Sequence, residues 1–256
     1  MSARQPVSGP DHDPADRGDE SGELVVAPWR VQSAANLVAL AFALTLLAGA
    51  LIAQTPGLDW NRLSSTLAVG AVLFALYATL VGIVWRVSAT RGVRFVDAVG
   101  LRHTAGLRWY AAALGVAVVC WFFSEAFTTA LTVLGVNVAR EDIALFRVLP
   151  AGPAGVALTV VLLVVVAPFA EEIVFRGVLL SSLSSRWGTS VGLFASGAVF
   201  AAVHVSPVGF VPLLLAGTLF GWIFVRSRSL AVAILAHAAY NALGVVALFV
   251  SRPPGL

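Results

Sequence analysis

Lysine is absent from this 256-residue sequence, and cysteine occurs once, at Cys120. A single cysteine excludes an intrachain disulfide and a metal cluster held by thiolates. Charge is also scarce: 11% of the residues are charged, against about 25% in an average soluble domain. Hydrophobic residues make up 59% of the chain. So few ionic groups cannot cover a water-facing surface, which excludes a soluble globular protein and a disordered chain.

The basic residues do not form a polyanion-binding surface. All 16 of them are arginine, and the net charge is only +3. Arginines that flank apolar runs are typical of membrane proteins, in which they mark the cytoplasmic side. We therefore expect a polytopic membrane protein that has membrane lipid as a partner and does not bind nucleic acid.

Seven apolar stretches follow an N-terminal tail, residues 1–32, that is rich in Asp, Glu, Pro, Gly and Ser. About 20 apolar residues span a bilayer core of about 30 Å, and the need to pair backbone groups within lipid favours helices. The sequence predicts an all-α, polytopic transmembrane helical bundle with about seven spans, and an eighth or re-entrant segment is left open. The stretches cover approximately 33–54, 64–86, 109–135, 155–180, 191–205, 208–225 and 229–250.

The domain organisation and the orientation follow from the same pattern. The tail is predicted to be a disordered, acidic, cytoplasmic segment, and residues 33–250 are predicted to form one transmembrane domain. With seven crossings, the connections that hold most of the arginines lie on the side of the N-terminus, which predicts a cytoplasmic N-terminus. These arginines are Arg91, Arg94, Arg102, Arg108, Arg186, Arg226 and Arg228.

Two adjacent carboxylates, Glu171 and Glu172, lie inside the fourth apolar stretch. Each charge at the centre of a bilayer costs about 2.5–3.5 kcal/mol on insertion scales, so both need a physical reason. Glu172 and Arg176 are four residues apart and share a helix face, which predicts an ion pair. Glu171 points about 100° away from that face and has no partner in its own segment, so we predict a functional role for it.

Two further polar positions interrupt the later apolar stretches. His204 ends the fifth stretch, and His237 and Asn241 lie one helical turn apart in the seventh. If the fourth and fifth helices form a hairpin that turns at 187–188, Glu171 and His204 lie at nearly the same depth. Counting residues from the same membrane edge brings His237 to a similar depth, so we expect the three side chains to converge in a cavity within the membrane.

Two kinds of chemistry suit such a cluster. A carboxylate and a neutral imidazole can together activate a water molecule as a general base, and a second histidine with a nearby amide can stabilise an oxyanion. Alternatively, Glu171, His204 and His237 could bind one catalytic Zn²⁺ together with a water. The His-Glu-x-x-His signature of zinc proteases is absent. The sequence leaves the zinc and the metal-free alternatives open.

Three motifs, in this order, resemble those of the CPBP intramembrane proteases, a family that includes type II CAAX prenyl endopeptidases and bacterial bacteriocin-processing and immunity proteins. The resemblance covers about residues 150–250, where we expect the catalytic core. The motifs read Glu171-Glu172-x-x-x-Arg176, Phe200-x-x-x-His204 and His237-x-x-x-Asn241.

The resemblance implies a role for each motif residue. Glu171 and His204 would activate the attacking water, and His237 and Asn241 would stabilise the oxyanion of the tetrahedral intermediate. The family is described both as metal-dependent and as using a metal-free glutamate mechanism, so the resemblance does not decide on Zn²⁺. The supporting residues would be Glu172 and Arg176.

The expected function is therefore that of an intramembrane endopeptidase acting on a membrane-associated or lipidated protein or peptide. Exclusive use of arginine, with much Ala, Gly and Val, is typical of a GC-rich bacterial genome, which favours an integral protein of a bacterial plasma membrane. One alternative is a non-catalytic scaffold or bacteriocin self-immunity protein that keeps the motifs. A proton-coupled transporter is a third reading, but the first half of the chain does not repeat the Glu or His motifs, as such transporters usually would.

Overall fold

The computed structural model describes residues 29–55, 63–136, 138 and 153–250. Within these ranges the chain forms eight helices and no β-strand. The helices are α1 (Val31–Gln54), α2 (Leu63–Thr90), α3 (Phe95–Ala98), α4 (Leu107–Val133), α5 (Pro153–Trp187), α6 (Thr189–Val203), α7 (Phe210–Ser227) and α8 (Leu230–Val250).

The predicted all-α, polytopic bundle is confirmed. Each of the seven apolar stretches forms one helix, and α3 is an additional short helix in the connection between the second and third stretches. Six helices are long and apolar enough to cross a membrane. α6 has 15 residues and is about 22 Å long, which is shorter than the hydrocarbon core. The predicted disordered tail lies almost wholly outside the described residues.

The central helix α5 changes its winding twice. The segments Leu162–Val166 and Ile173–Leu180 are π-helical, and they flank the α-helical turn Ala167–Glu172 that carries both carboxylates. Inserted π turns are frequent at functional sites. Every residue of the second π segment is buried, which makes this part of α5 the centre of the bundle.

The hairpin between α5 and α6 turns where the sequence predicts it. Gly188 joins the two helices with a φ of 85°, a conformation that glycine adopts without steric cost. α6 then packs closely on α7, because a Cβ atom built on Gly217 would lie 3.0 Å from the Cα atom of Gly197. Small residues allow such close approach between membrane helices, so the position of α6 relative to α5 and α7 is well defined.

The arginine-rich connection between α2 and α4 packs against the bundle. Val99 is 1% exposed, and a Cβ atom built on Gly177 of α5 would lie 2.9 Å from the Val99 Cβ atom. The carbonyl of Gly100 accepts a hydrogen bond of 3.0 Å from the backbone N–H of Leu230. This connection therefore contacts both the second π segment of α5 and the start of α8.

Candidate active site

Glu171 faces a cavity and lies next to polar side chains from two other helices. Its side chain is 19% exposed. The Tyr77 hydroxyl of α2 donates a hydrogen bond of 3.0 Å to Glu171 Oε1, and His237 Nε2 of α8 lies 3.9 Å from Oε2. The carboxylate without a partner in its own segment thus has partners across the bundle.

The cavity has a volume of about 460 Å³, and its wall is mostly apolar. Side chains from α1, α2, α5 and the end of α6 form this wall. Its polar lining residues in the described chain are Thr45, Tyr77, Glu171 and His204. Glu171 and His204 therefore share one cavity, whereas His237 and Asn241 are not among its lining residues. The sequence predicts the catalytic core at about residues 150–250 and does not indicate the contribution of α1 and α2.

His204 presents one ring nitrogen for chemistry. Its Nδ1 atom lies 2.7 Å from the carbonyl oxygen of Phe200. Because a carbonyl only accepts hydrogen bonds, Nδ1 carries the proton of the neutral ring, and Nε2 keeps a lone pair that can accept one. The chain turns directly after this residue, where Val205 has a φ of 52°. A positive φ is strained for a β-branched residue, and such strain often occurs at functional sites.

A buried network lies behind Glu171. Glu172 is 0% exposed, and its Oε1 atom accepts hydrogen bonds from Arg176 Nη1 at 2.6 Å and from His237 Nδ1 at 2.8 Å. The ion pair predicted from the four-residue spacing is therefore present. Since His237 donates its Nδ1–H to Glu172, its Nε2 atom is turned toward Glu171.

Aromatic rings and one backbone carbonyl complete the surroundings of Arg176. Its guanidinium carbon lies 4.8 Å from the ring centre of Phe200 and 5.5 Å from that of Phe220, within the range of cation–π attraction. Its Nη2 atom donates to the carbonyl of Gly217 at 2.9 Å. His237 stacks on Phe220 with ring centres 5.1 Å apart. The network therefore ties α5, α6, α7 and α8 together.

Asn241 contacts the backbone of α5. Its Nδ2 atom donates a hydrogen bond of 2.8 Å to the carbonyl oxygen of Leu163. In the π-helical register, in which Ala167 N–H bonds to Leu162 O, the N–H of residue 168 would bond to Leu163 O. Residue 168 is proline and has no N–H. Asn241 supplies the missing donor, and its role at an oxyanion stays a prediction.

The structure does not support the zinc alternative. In the part of the chain that the structure describes, no group of three or more His, Cys, Asp and Glu side chains is placed to hold a metal ion. The Nδ1 atoms of both histidines bond to protein oxygens, from Phe200 and Glu172. These bonds leave the Nε2 atom of each histidine, the nitrogen through which such a histidine binds a metal, so Zn²⁺ binding by Glu171, His204 and His237 stays a prediction.

Tyr77 is the site residue that sequence reasoning missed. The chain has three tyrosines, and this one lies in the middle of the apolar helix α2. A hydroxyl among membrane-facing apolar residues needs a polar partner, which was the available signal. The sequence could not tell which partner it has, because Glu171 is 94 residues away.

Comparison with known proteins supports the assignment that the motifs suggested. Residues 153–243 match the family model described as type II CAAX prenyl endopeptidase Rce1-like, a range that runs from the start of α5 into α8 and includes all three motifs. No curated protein and no solved structure matches the chain. The chain is thus an integral membrane protein, and its residues 153–243 are similar to the type II CAAX prenyl endopeptidase Rce1-like family.

Proposed function

We propose that this protein is an intramembrane endopeptidase that hydrolyses a peptide bond of a membrane-associated or lipidated protein or peptide. The observation that carries the proposal is the cavity shared by Glu171 and His204. It lies between α1, α2, α5 and the end of α6, and a carboxylate and an imidazole with a free nitrogen are next to the same space.

In the proposed reaction, a water molecule lies between Glu171 and Nε2 of His204. Glu171 takes a proton from this water as its oxygen forms a bond with the carbonyl carbon of the scissile peptide. The carbonyl oxygen becomes an oxyanion. Glu171 then gives the proton to the amide nitrogen as the carbon–nitrogen bond breaks, which leaves a new carboxyl terminus and a new amino terminus.

The oxyanion needs hydrogen-bond donors near the base. We propose His237 for this role as the imidazolium, which donates its Nδ1–H to Glu172 and carries a second N–H on Nε2, 3.9 Å from Glu171. An asparagine amide carries two N–H donors. Asn241 donates one of them to Leu163, and we propose the other as the second donor. Arg176 supports the site by holding Glu172 in place.

We also propose that the end of the bundle next to Trp29 faces the cytoplasm of a bacterial cell, with residues 33–250 as one transmembrane domain. Arg30 and Arg186 line a common pocket at this end, and Arg91 donates a hydrogen bond to Ser33 there. The arginines of three separate segments are therefore at the same end, as the positive-inside rule requires of a cytoplasmic face.

The test compares peptide termini in cells that carry the wild-type chain or Glu171→Gln at matched expression. Glu171→Gln keeps the shape of the side chain but removes the base. Glu125→Gln changes another membrane carboxylate, on α4 and outside the lining of the cavity, and serves as the control. We expect some termini to disappear with Glu171→Gln only. If all termini are unchanged, and the mutant still supports any cellular phenotype, the protein is a non-catalytic scaffold or immunity protein.

A further inference from the structure

Tyr77 contacts the carboxylate at which the proposed reaction begins. Its hydroxyl lies 3.0 Å from Glu171 Oε1, in a partly buried position, and its side chain lines the cavity beside Glu171 and His204. Tyr77 belongs to α2 and lies outside residues 153–243, which match the family model. The contact therefore comes from a part of the chain that the family motifs do not cover.

The geometry gives the two oxygens of Glu171 different surroundings. A carboxylate oxygen accepts hydrogen bonds and a tyrosine hydroxyl donates them, so Oε1 is the oxygen that accepts the hydrogen bond from Tyr77. Oε2 lies near His237 Nε2 at 3.9 Å, a distance too long for a hydrogen bond. Oε2 is therefore the oxygen that remains available for a proton from water.

The hydrogen bond also restricts the orientation of the side chain. Glutamate has three rotatable side-chain bonds, and a charge-assisted hydrogen bond is stronger than one between neutral groups. α2 contacts α5 along the turn that carries Glu171, so Tyr77 holds the carboxylate from a fixed position. Without the hydroxyl, the carboxylate could rotate away from the water that it must activate.

We infer that Tyr77 is a positioning residue of the active site, which fixes Glu171 so that Oε2 acts as the general base. This inference rests on the proposed function. It predicts that the hydroxyl contributes to turnover and not to substrate binding, because the apolar lining of the cavity is unchanged when only the hydroxyl is removed.

The test uses Tyr77→Phe in the full-length protein in lipid vesicles. Its control is Tyr240→Phe, which removes another tyrosine hydroxyl that bonds across two helices. This hydroxyl lies 3.0 Å from the Ser124 hydroxyl, outside the lining of the cavity. The substrate is a synthetic peptide that contains the cleavage site lost with Glu171→Gln in cells. We expect kcat to fall about ten- to hundredfold with Tyr77→Phe, with KM unchanged. Tyr240→Phe should retain the wild-type kcat.

A second measurement tests the contact without any protease activity. Dicyclohexylcarbodiimide reacts with carboxyl groups inside membranes, and mass spectrometry measures the rate of its addition to Glu171. Tyr77→Phe frees Oε1 and should raise this rate severalfold, whereas Tyr240→Phe should not change it. An unchanged labelling rate would overturn the inference, as would a faster labelling rate with normal kcat. A wild-type chain that cleaves nothing would overturn the proposed function and this role with it, even if the labelling result shows the contact.

Discussion

Asn241 should stabilise the protein only as long as residue 168 is proline. Asn241 donates a hydrogen bond to Leu163 O, the carbonyl that lacks a helical partner because Pro168 has no N–H. Asn241→Ala should therefore destabilise the wild-type chain. In a Pro168→Ala background the backbone N–H at 168 can bond to Leu163 O, and the same Asn241→Ala change should have almost no effect.

The size of the effect follows from the contact. Hydrogen bonds between membrane helices contribute about 0.6 kcal/mol on average and up to about 1.7 kcal/mol, and an unsatisfied buried polar group costs about 1–3 kcal/mol. Leu163 is half-buried. We therefore expect Asn241→Ala to lower the free energy of unfolding by about 1 kcal/mol, or roughly fivefold in the unfolding constant. The two substitutions should couple by about the same amount.

The assay is reversible unfolding with SDS in mixed detergent micelles, carried out for the wild type, both single variants and the double variant. Asn36→Ala is the control, because Asn36 accepts a hydrogen bond from Gln32 of the same helix. This substitution should lower the free energy of unfolding by the same amount with proline or alanine at residue 168. If Asn241→Ala lowers the free energy of unfolding equally in both backgrounds, Asn241 does not replace the donor that Pro168 lacks.

Two further predictions concern the packing of α5. Arg176→Met should lower the free energy of unfolding by about 3–5 kcal/mol, because it leaves the Glu172 carboxylate buried without its counter-ion; SDS unfolding measures this, and a loss below 1 kcal/mol would contradict it. Gly177→Ala should destabilise by about 1–3 kcal/mol, because its methyl group would lie 2.9 Å from the Val99 Cβ atom. Gly82→Ala of α2 is the control, since a Cβ atom there meets nothing within 4 Å, and it should be neutral or stabilising. Equal thermal stability of the two glycine variants would show that Val99 does not constrain α5.

The sequence predicts the helices well because lipid imposes a simple rule on them. Each apolar stretch must be long enough to cross the hydrocarbon and must pair its own backbone groups, so the helix bounds follow from where polar residues begin. The turn at Gly188 follows from the polar residues around it. The Glu172–Arg176 pair depends only on the four-residue spacing within one helix.

Contacts between distant helices could not be predicted in the same way. Both π segments of α5 accept hydrogen bonds from distant parts of the chain: Asn241 donates to Leu163 O, and Ser196 Oγ donates to Phe175 O at 3.1 Å. No residue of α5 other than Pro168 indicates them in advance. Tyr77 contacts Glu171 because of the rotation of α2, and a helix that is apolar all round gives no periodic signal of the face it turns inward.

The most direct test of the central claim is the rate at which the protein, reconstituted in lipid vesicles, cleaves the synthetic peptide defined by the termini lost with Glu171→Gln. A positioned general base contributes about 10²–10⁴ in rate. We expect Glu171→Gln to lower kcat by at least about a hundredfold, while the variant unfolds at the same SDS concentration as the wild type. A folded Glu171→Gln variant that cleaves the peptide at the wild-type rate would contradict the claim that Glu171 activates the attacking water.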